Sequence, residues 1–170
     1  YSRKEMEKIF EQLNAELPLV HGLGETGLDF YLEKRDPARF DDQRWAFREQ
    51  IGLAMTHEKP IVLHVVQAHE EALNILHEAK PLVPLILHRF SGSHEQAKQY
   101  LKMGAYLSFH ETKKWMNEMP LDQLLLETDS NPKQHPGGWD IRPHYQKTAE
   151  IMGLSVPDLV QKVAENFGKI

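Results

Sequence analysis

Hydrophobic and polar residues alternate along the chain in two recurring patterns. Short apolar runs that lead into polar residues predict five β-strands, at residues 19–24, 60–63, 83–87, 105–109 and 124–126. Charged segments with apolar side chains every three to four positions predict helices at residues 41–56, 68–79, 93–102, 143–152 and 156–167. The chain also opens on such a segment, so we expect a helix there and a longer natural protein.

Cap residues mark the ends of two of these helices. Ser93 and Ser155 stand where a side-chain oxygen can accept a backbone N–H group of the first turn. Pro157 suits the first turn after Ser155, and Gly104 suits the end of the helix that Ser93 begins. The polar boundaries therefore support the helices that the apolar spacing predicts.

Alternating strands and helices predict an α/β fold with a parallel sheet and helical crossovers. A doubly wound sheet and a (β/α)8 barrel both fit, the barrel only as a fragment, because a full barrel takes about 250 residues. We expect one domain over residues 1–170, since no linker divides the chain. Residues 109–124 leave little room for a loop and a full crossover helix, so either that unit is shortened or residues are missing there.

Composition narrows the classes of function. The chain has 170 residues, 41% of them hydrophobic, and no cysteine, which excludes disulfides, thiolate zinc sites and cysteine nucleophiles. It contains no apolar run long enough to cross a membrane and no secretory signal, and a cytoplasmic location is expected. A formal net charge of -5 argues against bulk electrostatic attraction to nucleic acid, so phosphate contacts would have to be local or mediated by metal ions.

Metal-competent side chains follow four of the predicted strands: Glu25, His64, His88, and the pair Glu127 and Asp129. Because parallel strands end on one face, we expect these side chains to converge. Imidazoles and carboxylates without thiolates suit Zn²⁺, Mn²⁺ or Mg²⁺ with open water positions. Two structural alternatives stay open: Glu25 could accept backbone hydrogen bonds in a glycine turn, and Asp129 could cap the loop that follows it.

Other polar residues near these strands have weaker signals. His69 could reach the mouth of the site from the loop after His64. His110, His135 and Trp139 could stack on a base, although ordinary loop packing explains them equally well. Asp29 is expected to brace the turn at Gly27 rather than to perform chemistry.

Six ordered segments resemble the TatD family of metal-dependent deoxyribonucleases. The segment at residues 24–31, GETGLDFY, resembles the family's GE-x-GLD-Y motif, and residues 43–54 resemble its Q-xxx-F-xx-Q-xx-LA helix. PIVLH at residues 60–64 and HRFSGS at residues 88–93 are similar to two of its strand ends. AYLSF at residues 105–109 and LLLETDS at residues 124–130 resemble its last two strands.

The resemblance implies a TIM barrel of which this chain holds the fourth to eighth strands. It also implies two Mg²⁺ or Mn²⁺ ions, with Zn²⁺ as an alternative, and removal of nucleotides from DNA ends or single strands in the 3′ to 5′ direction. Glu25 corresponds to a carboxylate that bridges the metal ions, and His64 and His88 to metal ligands. Asp129 corresponds to the last ligand and the base, and Glu127 to a further ligand or to a residue that supports one.

The chain also departs from the family pattern. The family's H-x-H pair is absent from these residues, so we expect the chain as given to bind metal weakly. Val66 stands where the family usually has arginine, and Arg89 stands where it often has a small residue. Arg89 and His69 are therefore candidates for contacting the substrate or supporting the ligands.

Three classes of function follow. The first is a metal-dependent phosphodiesterase that acts on DNA. The second is an amidohydrolase or lactonase for a small molecule, since one barrel supports many reactions. The third is a non-catalytic subunit that works through protein partners, for example in an anti-phage complex. A metal titration with DNA and with simple esters or lactones separates the first two.

Overall fold

The computed structural model describes residues 3–31, 38–131, 133, 138 and 140–170. Residues His135 and Trp139, predicted from the sequence to stack on a base or to pack in a loop, lie outside the described residues. The chain divides into two compact units, Tyr1–Leu87 and His88–Ile170. None of the described helices is both long enough and apolar enough to cross a membrane.

Three parallel strands and three helices build the first unit. The elements are α1 (Arg3–Glu16), a 3₁₀ turn (Leu17–Leu19), β1 (Leu23–Asp29), α2 (Ala38–Thr56), β2 (Ile61–Val66), α3 (His69–Ala79) and β3 (Leu85–Leu87). Strand β2 pairs with β1 on one side and with β3 on the other, both in parallel. Its side chains alternate, with Ile61, Leu63 and Val65 buried and His64 on the opposite face.

The first strand begins later than the sequence pattern predicts. Residues 19–24 were predicted as the strand, but Leu19 and Val20 are 83% and 44% exposed and precede it. The register between β1 and β2 shifts between Leu23 and Thr26, and the strand then continues to Asp29. Glu25 therefore lies in an irregular part of the strand rather than after its end. Irregularities of this kind re-aim side chains and are frequent beside active sites.

Glycine allows the two strands to approach each other at Gly27. This residue has a φ of 138° and pairs with His64 across the ladder. A Cβ atom here would overlap the His64 carbonyl oxygen. Only glycine tolerates both the backbone conformation and the contact, so Gly27 permits the close approach of β1 to β2 at His64.

The second unit combines two strands with three helices. Its elements are α4 (His94–Lys102), β4 (Tyr106–Phe109), two 3₁₀ turns (Met116–Glu118 and Leu121–Gln123), β5 (Leu124–Leu126), α5 (Arg142–Met152) and α6 (Val156–Phe167). Strands β4 and β5 pair in parallel. Residues 110–123, all of them described, contain no α-helix, which favours a shortened unit over the alternative of missing residues. Ser93 and Ser155 cap α4 and α6 as predicted, and Ser93 forms a capping box with Gln96.

A buried asparagine fixes the approach to β5. The Asn166 side chain, at the end of α6, donates from Nδ2 to the Leu121 carbonyl at 2.8 Å and to the Leu124 carbonyl at 2.9 Å. The residue is fully buried in the second unit. Helix α6 thereby holds the start of the strand that leads to Glu127 and Asp129.

Candidate active site

His64 lies between two carboxylates at one edge of the first unit. Its Nδ1 is 3.6 Å from Glu25 Oε2, and its Nε2 is 3.4 Å from Asp29 Oδ2. The Glu25 side chain is about half exposed, whereas that of Asp29 is 20% exposed. We refer to these three residues as the His64 cluster. They line an open cleft of about 350 Å³.

Two glutamines of α2 hold β1 in place beneath this cluster. Gln43 Oε1 accepts the Asp29 N–H at 2.8 Å, and Gln43 Nε2 donates to the Asp29 carbonyl at 3.0 Å. Two turns further along the helix, Gln50 Oε1 accepts a hydrogen bond from the hydroxyl of buried Thr26. The Asp29 carboxylate also accepts the Tyr31 N–H at 2.9 Å. The bracing of the turn at Gly27 by Asp29 stays a prediction, and the contact of Asp29 with His64 is an additional finding.

His88 has the same arrangement in the second unit. Its Nδ1 is 2.9 Å from Glu127 Oε1, and its Nε2 is 3.7 Å from Asp129 Oδ1. The side chains of His88 and Glu127 are 16% and 18% exposed, and that of Asp129 is 36% exposed. We refer to His88, Glu127 and Asp129 as the His88 cluster.

Further contacts fix the carboxylate of Glu127. Its Oε2 accepts the hydroxyl of Ser108, a residue of β4, and the backbone N–H of Arg89 at 3.2 Å. The Arg89 guanidinium, about half exposed, forms an ion pair with Asp129, with Nη1 2.9 Å from Oδ2. Glu127 is thus held from two sides, while Asp129 is more accessible and faces a cation.

His110 and His144 are further histidines of the second unit. His110 follows β4, and His144 lies in the first turn of α5. A hydrogen bond of 3.0 Å between the hydroxyls of Thr112 and Thr148 joins the loop after β4 to α5. Burial lowers the pKa of both imidazoles; the Arg89 charge lowers the pKa of His110 further, and the His110 charge lowers that of His144. His144 was not singled out from the sequence, because a histidine in a helical segment has no distinctive pattern.

His69 begins the helix that follows β2. It is the first residue of α3 and is buried, with 8% of its surface exposed. Burial lowers its pKa. It is not among the described residues that line the cleft beside His64. A substrate-contacting role therefore stays a prediction, and the observed position is that of a buried residue of the first unit.

The donor atoms of both clusters suit a divalent metal ion. When a metal binds one ring nitrogen of histidine, the other usually donates its N–H to a carboxylate, which fixes the tautomer and the ring orientation. In each cluster one carboxylate is held by other residues, and the second is more exposed. Asp29 and Glu127 are the held carboxylates and could support a histidine, whereas Glu25 and Asp129 are the exposed ones and could bind a metal ion. The chemistry of the residues therefore fits the predicted ions.

Comparison with known proteins identifies the family. A family model described as TatD related DNase matches residues 1–170. The chain belongs to the TatD family. It is 37% identical to the metal-dependent hydrolase YabD of Bacillus subtilis, over 89% of this chain and 65% of that protein. It is 32% identical to the 3′-5′ ssDNA/RNA exonuclease TatD of Erwinia tasmaniensis, over 88% of this chain and 60% of that protein.

Solved structures show the TatD fold for this chain. The TatD homologue YjjV from Escherichia coli superimposes with a TM-score of 0.77 and 23% identity, over 98% of this chain and 69% of that chain. A TatD family hydrolase from Entamoeba histolytica gives a TM-score of 0.75 with 17% identity, over 97% of this chain and 67% of that chain. The α/β fold class predicted from the sequence is thereby confirmed, and the chain spans only part of the TatD barrel.

This chain spans 65% of YabD and 60% of the Erwinia exonuclease. The assignment of strands four to eight and the single domain over residues 1–170 stay predictions. The same holds for a common centre formed by Glu25, His64, His88 and Asp129.

Proposed function

We propose that this TatD-family chain carries part of the active site of a metal-dependent phosphodiesterase that removes nucleotides from DNA in the 3′ to 5′ direction. The observation that carries the proposal is the pair of carboxylates at the two ring nitrogens of His64 and of His88. The similarity to the Erwinia relative, a 3′-5′ ssDNA/RNA exonuclease, supports the choice of substrate.

The proposed ligands are the residues predicted from the sequence: Glu25, His64, His88 and Asp129. The ions are two divalent cations, Mg²⁺ or Mn²⁺, with Zn²⁺ as the alternative. Such ions, when bound, activate water and stabilise charge on a phosphoryl oxygen. The net charge of -5 makes this local neutralisation necessary, because the chain as a whole repels a phosphodiester.

Asp29 and Glu127 have a supporting role in this proposal. Asp29 accepts the Nε2–H of His64, which leaves the Nδ1 lone pair beside Glu25. Glu127 Oε1 lies 2.9 Å from the Nδ1 of His88 and would hold the ring proton there, which leaves the Nε2 lone pair beside Asp129. Each histidine then has one nitrogen for binding a cation and one for holding its orientation.

Asp129 is the proposed base. It is the more exposed carboxylate of the His88 cluster, so one of its oxygens can accept a proton from the attacking water. Replacing Asp129 by Asn keeps the shape and removes the base, and turnover of single-stranded DNA should fall by roughly 10²-fold or more. DNA affinity measured in Ca²⁺ should change little.

The matched control is Asp122→Asn, the same chemical change at an exposed residue of a 3₁₀ turn in the same unit. It should leave turnover in Mg²⁺ and Mn²⁺ unchanged. Near-normal cleavage by the Asp129→Asn protein would remove Asp129 from the role of base. Hydrolysis of simple esters or lactones without cleavage of DNA would favour the amidohydrolase alternative over the nuclease.

A further inference from the structure

Arg89 has donor groups to spare beside the proposed base. Its Nη1 contacts one oxygen of Asp129 at 2.9 Å, and 52% of its side chain is exposed. Among the residues that the structure describes, Asp129 is the acidic residue that pairs with the guanidinium. A guanidinium has five N–H donors, so most of them remain available to a second anion.

The backbone around Arg89 is fixed in place. Its N–H donates to Glu127 Oε2 at 3.2 Å, and the next residue, Phe90, donates its N–H to the Ser108 carbonyl at 2.8 Å. Arg89 itself has a φ of 47°, in the left-handed region that non-glycine residues seldom adopt. An arginine anchored in this way loses less freedom when its guanidinium binds a ligand.

The position of the positive charge agrees with these contacts. Arg89 lies near enough to His110, which follows β4, for its charge to lower the pKa of that histidine. Arg89 and Phe90 also donate backbone N–H groups to Glu127, just after β5, and to Ser108 of β4, so this segment lies beside the ends of both strands, where the proposed reaction takes place. In the absence of a ligand, Asp129 neutralises it.

We infer that Arg89 binds a phosphate group of the substrate, and that Asp129 holds its guanidinium until the phosphate arrives. The planar fork of arginine matches two phosphate oxygens as it matches two carboxylate oxygens. The guanidinium exchanges the Asp129 carboxylate for the phosphate, and no covalent bond is made or broken. The inference rests on the proposed function for its substrate, a nucleic acid.

The first experiment measures binding of a short single-stranded DNA in EDTA, by fluorescence anisotropy over a range of salt concentrations. Arg89→Gln should weaken binding by roughly tenfold. The negative slope of log affinity against log salt should become shallower by about 0.7, because one phosphate contact is lost. Arg89→Lys, which keeps the charge and loses the fork, should bind with intermediate affinity.

Arg48→Gln is the matched control. Arg48 forms an ion pair with Glu78 at the same distance of 2.9 Å and has a similar exposed fraction, 45%. It lies on α2 and its partner on α3, and neither residue belongs to the two clusters or to the lining of the cleft. Its removal should leave both the affinity and the salt slope unchanged.

A double-mutant cycle tests the holding role of Asp129. In EDTA, Asp129→Asn should tighten DNA binding, because the guanidinium no longer has a competing carboxylate. The same change in an Arg89→Gln background should give a smaller gain, since only general repulsion from Asp129 is then removed. Equal gains in both backgrounds would show that Asp129 does not restrain Arg89.

Binding and cleavage separate this inference from the proposed function. If the protein cleaves DNA and Arg89→Gln binds DNA with wild-type affinity and salt slope, the inference is wrong while the function stands. If it cleaves no DNA and Arg89→Gln still lowers affinity and slope, the inference stands without the function. No measurable binding by the wild-type protein would also overturn the inference. Oligonucleotides with and without a terminal phosphate distinguish a terminal group from an internal phosphodiester.

Discussion

Glu127 Oε1 lies 2.9 Å from His88 Nδ1, and the second oxygen of the same carboxylate accepts the hydroxyl of Ser108. One side chain thus links the residue after β3 to strand β4. Because the carboxylate is fixed by its own partners, it can select the tautomer of His88. The orientation of His88 therefore depends on a residue 39 positions further along the chain.

The first prediction concerns this link. Glu127→Gln should lower the affinity for Mn²⁺ or Zn²⁺ by roughly 10- to 100-fold, because a neutral amide holds the Nδ1–H of His88 less firmly. Calorimetry measures the affinity, and ¹⁵N spectra of the imidazoles report the tautomer without any metal. Glu118→Gln is the control, since Glu118 lies 3.8 Å from His94 and is 59% exposed. An unchanged His88 tautomer in the Glu127 variant would contradict the assigned role.

The second prediction uses two glycines with opposite surroundings. Gly27→Ala should lower the free energy of unfolding by about 1–3 kcal/mol, because its φ is positive and a Cβ would overlap the His64 carbonyl. Gly52→Ala, in α2 with open space around it, should raise that free energy by about 0.5–1 kcal/mol. Urea unfolding measures both. A Gly27→Ala protein as stable as the wild type would contradict the close approach of β1 and β2.

The third prediction is a pH dependence from His69. Burial lowers its pKa below the ordinary value of 6.5, so the folded protein keeps the ring neutral at pH values where the unfolded chain already binds a proton. Stability should therefore fall as pH drops below about 6.5 and level off below the folded pKa. His69→Gln removes this contribution, and its unfolding free energy should depend less on pH between 7 and 5. Parallel curves for the two proteins would rule out burial of a neutral His69.

The fourth prediction concerns His144. Both of its ring nitrogens are buried without a hydrogen-bond partner in the described part of the chain, although the ring lies near the Glu127 backbone. A buried polar group left without a hydrogen bond costs about 1–3 kcal/mol, so His144→Phe should melt at the wild-type temperature or above it. Differential scanning fluorimetry tests this. A drop of several degrees would show that the imidazole has a stabilising partner.

The sequence predicted most of the helices and the later strands closely. Strand β5 and helix α6 have the predicted bounds, because Leu124–Leu126 is a continuous apolar run and Ser155 caps the helix. The first strand was placed too early because Leu19 and Val20 are apolar, although both are exposed. An apolar pattern records hydrophobicity but does not show which apolar residues the fold buries.

The residue types of the candidate site could be predicted from the sequence, but the residues that hold them in place could not. Histidines and carboxylates after apolar runs indicated a metal site, and both clusters contain the predicted residues. The supporting roles of Gln43, Gln50 and Ser108 were not predictable, because a polar side chain in a helix or strand has the same pattern whether it faces solvent or a backbone group. Their roles depend on contacts between residues far apart in the chain, which periodicity does not record.

Asn166 has a practical consequence for handling the protein. Its amide holds two carbonyls at the entrance to β5, and it stands four residues before the last residue of the sequence. A truncation that removed α6 would take away this amide and leave both carbonyls without their donor. Because β5 leads to Glu127 and Asp129, any shortened version of the chain should keep α6 in full.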